Sequence, residues 1–422
     1  MRKKRFIIIL ILTLLVSFAL GYGYAQDWSD DNGSAVPTAP VAPDSQNLGE
    51  KALDPLQDQL ATMTLQEKIG QMVLVGLEGY ENDAHSKDLI KNYQVGGFIL
   101  FKRNIRDAGQ VKELIYSLKE SNAVNKAPLF LSIDEEGGTI SRLPEEFASI
   151  PASGKIGEMN DPAISYQVGN IIGEELQLLG FNMDFAPVLD IDSNPQNPVI
   201  GERAFGSQPD LVSRLGIQTI KGLKAKNIIS VVKHFPGHGD TSVDSHIGLP
   251  RVNHTLERLK SFELLPFAEA INNDVDAIMI AHLLLPQIDP DNPATLSRIV
   301  ITDLLREEMG FEGVVITDNL TMGAIAENYD LGKAAVKAIQ AGSDIVLVCH
   351  DFAKQEVVIK ALQKAAINGD ISEKRIDESV YRILMLKQKY ALSEQTEPQV
   401  AEDELYKRIS AINQRIERIF GE

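Results

Sequence analysis

The sequence predicts an α/β fold, namely a (β/α)₈ TIM-type barrel that occupies residues 52–395 as a single domain. In this range, short aliphatic and β-branched runs alternate with longer amphipathic segments, which is typical of repeated βα units and a parallel sheet. The runs number eight, and eight βα units over roughly 300 residues suit a closed barrel better than an open sheet. Polar residues also stand where several of the predicted strands end.

Each run is predicted to form one strand of the barrel. In chain order, the strands are expected at 72–77, 96–101, 129–134, 181–186, 229–235, 277–282, 313–318 and 344–349. Helical patterns separate the runs, and several end in Gly or Asn, which favour helix C-termini. Residues 371–390 and the charged C-terminal helical tail, 396–422, are expected to pack outside the barrel rather than to form a second domain.

The N-terminus predicts export. Residues 1–25 combine a basic start, MRKKR, with an uninterrupted apolar run, which is typical of a signal peptide or an N-terminal membrane anchor. Residues 26–51 are acidic and rich in Pro, Ser and Ala, so we expect a flexible linker. The protein is therefore predicted to be extracellular or on the cell surface, with membrane contact only through its N-terminal segment. Cleavage and anchoring both remain open.

Charge and cysteine content restrict the class of ligand. The formal net charge of -18 argues against binding to nucleic acid or to anionic lipid headgroups, since both require a basic surface. A neutral or polar small substrate fits better. The single cysteine, Cys349, lies in an apolar run and is predicted to be a buried structural thiol. No motif indicates a cofactor or a partner chain, and we expect a monomer.

Polar residues at the strand ends locate the expected site. Asp134 ends the third predicted strand, Lys233 and His234 lie in the fifth, His282 ends the sixth and Asp318 the seventh. Because active sites of such barrels lie at the C-terminal ends of the strands, these side chains are expected to converge. Aspartate at a strand end could instead cap the next helix, but lysine and histidine are poor N-caps.

One βα segment, KHFPGHGDTSVDSHIGLP at 233–250, is dense in Gly, Pro, His and Asp. Asp244 precedes His246 by two residues, close enough to fix the orientation and tautomer of the imidazole. Such a histidine can donate a proton to a leaving oxygen and later accept one from water. Metal binding is the alternative, because His234, His238, Asp240 and His246 could converge, although the segment has no helical HExxH motif or compact Cys/His set.

The same segment resembles the signature of the glycoside hydrolase family three β-N-acetylhexosaminidases. Further stretches similar to that family follow in the same order along the chain: EKIGQMVLVG, VGGFILF, SIDEEGG, FNMDFAPVLDI, IGERAFG, MIAHLLLP, VVITDNLTMGAI and AGSDIVLVC. The resemblance covers nearly all of 52–395. It implies a (β/α)₈ catalytic domain, a carbohydrate substrate and no metal or cofactor. The implied activity is that of a retaining exo-β-N-acetylglucosaminidase acting on cell-wall (peptidoglycan) fragments or chito-oligosaccharides.

The resemblance also implies residue roles. Asp318 matches the nucleophile that forms a covalent glycosyl-enzyme, and His246, oriented by Asp244, matches the acid/base. Five further residues match positions that contact the sugar hydroxyls and the N-acetyl group: Asp134, Arg142, Arg203, Lys233 and His234. Thr139, Ala204 and Asn319 depart from the residues that are common in the family, and Asn319 alters the surroundings of Asp318.

Two alternatives share these residues. A phosphorylase is compatible with them, because a histidine acid/base adds no second anion where phosphate must approach. A non-catalytic carbohydrate-binding module on the same barrel is the other alternative, although a binding module has no use for a nucleophile that faces a proton donor.

Overall fold

The eight predicted strands all form, and they close into one parallel barrel. The computed structural model describes residues 54–395 and 401–421. Its strands, numbered in chain order, are β1 Val73–Gly76, β2 Gly97–Leu100, β3 Phe130–Ile133, β4 Met183–Asp184, β5 Ile229–Phe235, β6 Ala277–Ile280, β7 Leu284–Leu285, β8 Asp289–Pro293, β9 Val314–Asn319 and β10 Ile345–Val348. Neighbours around the barrel follow the order β1-β10-β9-β6-β5-β4-β3-β2. The predicted (β/α)₈ barrel is therefore confirmed.

Strand β4 is shorter than the predicted 181–186. The side-chain amide of Asn182 accepts a hydrogen bond from Leu131 N at 2.9 Å and donates one to Leu129 O at 3.0 Å. The Asn182 side chain thus makes hydrogen bonds to the backbone around β3 of the kind that backbone groups of a paired strand make elsewhere in the barrel. Regular pairing is left to Met183 and Asp184.

Helices surround the barrel. Within the described residues they span Pro55–Thr62, Leu65–Gln71, Ala84–Asp88, Ala108–Asn122, Ser153–Met159, Pro162–Leu179, Pro209–Lys224, Leu256–Ser261, Leu265–Asn272, Gly323–Ala326, Leu331–Ala341, Phe352–Asn368, Glu373–Lys389 and Glu402–Phe420. Short 3₁₀ turns at Lys102–Asn104, Gly201–Arg203 and Ala294–Leu296, and π-helical segments at Leu89–Tyr93 and Ile299–Glu308, complete the connections.

Local sequence explains where these helices begin and end. The helix Pro162–Leu179 begins after Asp161, whose carboxylate accepts the Ala163 N–H, and has proline in its first turn. It ends at Gly180, which adopts φ 97°, a left-handed conformation that glycine reaches without steric cost. Thr64 and Glu67 form a reciprocal capping box on Leu65–Gln71.

An unpredicted hairpin follows β6. Strands β7 and β8 pair in antiparallel fashion, and Leu284 exchanges backbone hydrogen bonds of 2.9 and 3.0 Å with Pro250 O and Val252 N. These contacts fix the end of the long segment that follows β5. They depend on residues far apart in sequence, so local patterns do not reveal them.

The helix Glu402–Phe420 packs against the barrel domain through one apolar face. Leu405, Ile409, Ile412 and Ile416 are buried. The Arg415 guanidinium forms a 2.6 Å ion pair with Glu174. The predicted linker 26–51 and segment 1–25 lie outside the described residues. Within the described part, no helix is both long and apolar enough to cross a bilayer.

Candidate active site

A cavity of about 240 Å³ opens at the C-terminal ends of the barrel strands. Seven of the eight predicted site residues line it: Asp134, Arg142, Arg203, Lys233, His234, His246 and Asp318. The eighth, Asp244, contacts His246 directly. The structure therefore brings together side chains that come from β5, β9 and the connections after β3, β4 and β5.

Asp318 lies in β9 and reaches the cavity from the barrel wall. Its Oδ1 accepts the Asn319 N–H at 2.7 Å. Burial raises the pKa of the Asp318 carboxyl, but nearby His282 and His234, together with the Asn319 N–H, outweigh burial and lower that pKa below its usual value. The carboxylate is therefore ionised at neutral pH, the state that a nucleophile requires.

Asp244 and His246 form a direct pair. One carboxylate oxygen, Oδ1, lies 2.8 Å from both the His246 Nδ1 atom and the His246 backbone nitrogen. Partial burial raises the pKa of Asp244, yet these hydrogen bonds lower it overall. An ionised Asp244 fixes the proton on Nδ1 and leaves Nε2 as the reacting nitrogen. The His246 side chain is 66% exposed, so this nitrogen is accessible to a ligand.

The catalytic loop, defined here as residues 236–250, is anchored at both sides of His246. At its start, Gly239 lies so close to Ile191 O that a β-carbon would come within 1.7 Å of that oxygen. Further on, Gly323 and Ala324 donate backbone hydrogen bonds to His246 O and Ser245 O at 3.3 and 3.1 Å. The catalytic loop thus contacts the chain segment that follows Asp318.

Lys233 and Arg203 are organised by a carboxylate that sequence reasoning missed. Glu136 accepts a bidentate pair of 2.9 Å bonds from Arg203 and lies 2.7 Å from the Lys233 ammonium. Lys233 also contacts Asp134 at 2.6 Å. Burial raises the pKa of Glu136, but Lys233 and Arg203 dominate and lower it to about 2. Its signal in the sequence was its place in SIDEEGG, two residues after Asp134.

His234 and Arg142 present two further polar groups. The Nδ1 atom of His234 lies 2.6 Å from Asp190 Oδ2, so the pair fixes the ring and leaves Nε2 toward other partners. The Nε atom of Arg142 is buried and has no hydrogen-bond partner within the described residues. A buried donor without a partner is costly, so a ligand that accepts from it gains a favourable bond.

The residues considered for a metal are engaged elsewhere. Asp240 pairs with His254 at 2.8 Å, and the Nδ1 atom of the His238 ring lies 2.9 Å from Thr241 Oγ1. Across 54–395 and 401–421, no group of three or more His, Cys, Asp or Glu side chains is arranged to hold a metal ion.

Two other residues named in the sequence analysis, His282 and Cys349, are buried. His282 is buried, with its ring nitrogens 2.7 Å from Thr295 Oγ1 and 2.9 Å from Asn319 O. Cys349 is buried, as predicted. Two cavity residues, Phe101 and His350, were not predicted, although each follows a strand and the strand-end rule applies to both.

Several known proteins are similar to this chain. Residues 64–386 match the profile described as glycosyl hydrolase family 3 N terminal domain. Beta-hexosaminidase A from Pseudoalteromonas piscicida is 37% identical over 326 residues, which cover 72% of this chain and 54% of that protein. Beta-hexosaminidase from Idiomarina loihiensis is 36% identical over 293 residues, covering 68% of this chain and 87% of that protein. The chain thus spans about half the length of the first relative and most of the second.

A solved structure is similar to this chain in both sequence and fold. A glycoside hydrolase family 3 beta-N-acetylglucosaminidase from Paenibacillus sp. str. FPU-7 is 44% identical, with a TM-score of 0.78 over 83% of this chain and 69% of that one. The family profile covers most of the barrel domain, and most of the motifs noted in the sequence contribute residues to the cavity. The chain belongs to glycoside hydrolase family 3.

Proposed function

We propose that the protein is a retaining exo-β-N-acetylglucosaminidase. The observation behind the proposal is that one cavity holds an ionised strand-end carboxylate, Asp318, and a histidine oriented by its own carboxylate, the Asp244–His246 pair. Relatives described as beta-hexosaminidases, and a related structure described as a beta-N-acetylglucosaminidase, favour N-acetylglucosamine as the sugar.

In the first step, a carboxylate oxygen of Asp318 attacks the anomeric carbon, and the glycosidic bond breaks. The protonated His246 ring donates its Nε2 proton to the leaving oxygen, and its remaining proton stays on Nδ1 beside Asp244. In the second step, Nε2 accepts a proton from water, whose oxygen attacks the same carbon and releases Asp318. Two inversions at one carbon retain its configuration.

The charged residues deeper in the cavity suit the non-reducing sugar. Asp134 can accept hydrogen bonds from two sugar hydroxyls. Lys233, Arg203 and Arg142 can donate hydrogen bonds to sugar oxygens or to the acetyl carbonyl. Because Glu136 fixes two of these cations before a ligand arrives, little conformational entropy is lost on binding.

Turnover of 4-nitrophenyl β-N-acetylglucosaminide by the purified full-length protein tests the proposal. We expect Asp318→Asn to abolish release of nitrophenol, whereas Asp291→Asn, an exposed matched control, leaves it unchanged. Near-normal turnover by Asp318→Asn contradicts the assigned nucleophile. No release by the wild-type protein at any pH favours a non-catalytic carbohydrate-binding module.

His246 has its own test. His246→Ala should slow glycosides with poor leaving groups far more than a dinitrophenyl glycoside, whose leaving oxygen needs no proton. Azide, which replaces water as the nucleophile without base catalysis, should accelerate turnover of the activated substrate by this variant. Equal loss on both substrates, without an effect of azide, contradicts the acid/base role.

Phosphate is the second candidate acceptor, because a histidine acid/base places no second anion beside the glycosyl-enzyme. Water remains our primary assignment. Adding inorganic phosphate to the assay separates the two activities: a phosphorylase forms N-acetylglucosamine 1-phosphate and turns over faster, whereas a hydrolase forms the free sugar at an unchanged rate.

We further propose that a monomeric protein is exported by residues 1–25 and acts on cell-wall fragments or chito-oligosaccharides outside the cytoplasm. The support is the basic and apolar N-terminal sequence. Fractionation of the producing cells, with N-terminal sequencing of the recovered protein, distinguishes cleavage from anchoring. Recovery of the uncleaved protein in the cytosol contradicts the proposal.

A further inference from the structure

Two rings, those of Phe101 and His350, line the same cavity as the charged residues. Phe101 directly follows β2, and His350 lies just past β10. Their ring centroids are 5.3 Å apart, with an interplanar angle of 33°. Both rings line the same cavity as Asp318 and His246, and neither has a role in the chemistry proposed above.

The barrel order relates this ring pair to the scissile bond. The residues assigned to the non-reducing sugar come from β5 and the connections after β3 and β4. Strands β10, β1 and β2 are consecutive and complete the barrel wall between β9, which holds Asp318, and β3, which Asp134 follows. Since the catalytic loop also contacts the segment after β9 through Gly323, both groups that act on the glycosidic bond lie next to this wall. This wall therefore lies beside the scissile bond, where the group beyond the bond can contact Phe101 and His350.

The ring pair is held in place before a ligand arrives. The Arg103 guanidinium lies 4.7 Å from the Phe101 ring centroid. It also donates to Leu77 O at 2.9 Å and to Cys349 O at 3.1 Å, which ties the end of β1 to the end of β10. A fixed ring pair loses little entropy when a ligand packs against it.

The His350 imidazole is available to a ligand. It makes no hydrogen bond or ion pair with any residue in the described part of the chain, and the residue is exposed. Burial of part of the ring, followed by the charge of Arg103, lowers the pKa of His350. A neutral ring is less strongly hydrated than a cation, so covering it with a ligand costs less.

We propose that Phe101 and His350 form the subsite for the leaving-group sugar, whose ring packs by its C–H face against the pair. This inference rests on the proposed glycosidase function and adds a binding site for the second sugar residue of the substrate. The contact is dispersive and apolar, so it favours a pyranose over a small alkyl group without requiring a particular hydroxyl pattern.

The test compares substrates that differ only beyond the bond: N,N′-diacetylchitobiose and methyl β-N-acetylglucosaminide, with the purified full-length protein. We expect His350→Ala to lower kcat/KM for the disaccharide about tenfold, while the methyl glycoside changes less than about twofold. Inhibition by free N-acetylglucosamine, which occupies only the non-reducing position, should stay the same. His350→Phe should restore most of the activity on the disaccharide.

His85→Ala is a matched control, because His85 also stacks on a phenylalanine, Phe352, with centroids 4.5 Å apart, but does not line the cavity. It should leave both substrates unaffected. Equal losses on the two substrates in His350→Ala, or no loss on the disaccharide, overturn the subsite. Absence of wild-type activity on both glycosides instead refutes the underlying glycosidase function.

Discussion

Glu136 is central at the scale of single residues because one carboxylate holds two cations. Its side chain is 2% exposed, as is that of Lys233, so neither charge is stabilised by water. Removing one partner from a buried ion pair leaves the other charge uncompensated, which costs several kcal/mol. Glu136 therefore fixes the positions of Lys233 and Arg203, and the positions of both cations depend on this one carboxylate.

We expect Glu136→Gln to raise KM for the nitrophenyl substrate at least about tenfold and to lower the free energy of unfolding by about 3 kcal/mol. Steady-state kinetics and denaturant unfolding measure the two effects. Glu158→Gln is the control, since the Lys155–Glu158 pair is exposed and contributes under about 1 kcal/mol. Unchanged KM in Glu136→Gln contradicts the positioning role.

A second buried acid, Glu135, predicts a pH dependence of stability. Burial raises its pKa from 4.5 to about 7. Between these values, the folded state keeps a proton that the unfolded state has released, so stability falls as pH rises. We expect Glu135→Gln, which cannot ionise, to gain about 3 kcal/mol relative to wild type between pH 4 and pH 8. Denaturant unfolding of both proteins at several pH values between 4 and 8 measures this gain. A difference in the free energy of unfolding that does not change with pH contradicts the prediction.

The positions of Asp134, Lys233, His234 and Asp318 in the cavity were predictable from the sequence. All four lie at strand ends, and active sites of such barrels lie at the C-terminal ends of the strands. The motif SIDEEGG placed Glu135 and Glu136 near the site, but their roles were not predictable from the sequence alone. Their roles depend on which cation or backbone N–H lies opposite them after folding, and Lys233 and Arg203 come from other βα units.

At the scale of elements, the strands were predictable because each is a buried apolar run, whereas the position of the catalytic loop was not. Its length and glycine content indicated function. Its contact with Gly323 and Ala324 is a long-range backbone pairing without a side-chain signature. The β7–β8 hairpin, which holds the loop's other end, escaped prediction for the same reason.

The contact at Gly323 gives a prediction. A β-carbon there would lie 2.7 Å from His246 O, closer than real contacts allow, so Gly323→Ala must displace the loop backbone at His246. We expect kcat for poor leaving groups to fall by up to about 100-fold, with a much smaller effect on a dinitrophenyl leaving group.

Gly109→Ala serves as the control, because the nearest atom to its added methyl lies 3.4 Å away at Asp107 and Gly109 does not line the cavity. The measurement is kcat for a series of aryl glycosides, plotted as log kcat against the pKa of the leaving group. We expect the slope for Gly323→Ala to be steeper than that for wild type. If Gly323→Ala and wild type show the same slope, the contact does not position His246.

At the scale of the whole molecule, the C-terminal helix connects the last residues of the chain to the site. Asn413 on Glu402–Phe420 donates to Glu146 O at 2.8 Å and accepts the Ala148 N–H at 2.9 Å. Both partners belong to the connection after β3 that also holds Arg142. The apolar periodicity of the tail made a packed helix predictable, but not the connection that it would contact.

We expect Asn413→Ala to raise KM for the nitrophenyl substrate severalfold while leaving kcat nearly unchanged. It frees a backbone N–H and C=O in the connection that places Arg142, far from the atoms that react. Asn368→Ala, at an exposed position that ends the helix Phe352–Asn368, should leave both constants unchanged. A fall in kcat without a change in KM would mean that the C-terminal helix affects the reacting groups themselves. Unaltered kinetics would restrict its role to stability, which unfolding of Ile409→Ala should show as a loss of about 2 to 4 kcal/mol, because Ile409 is 2% exposed.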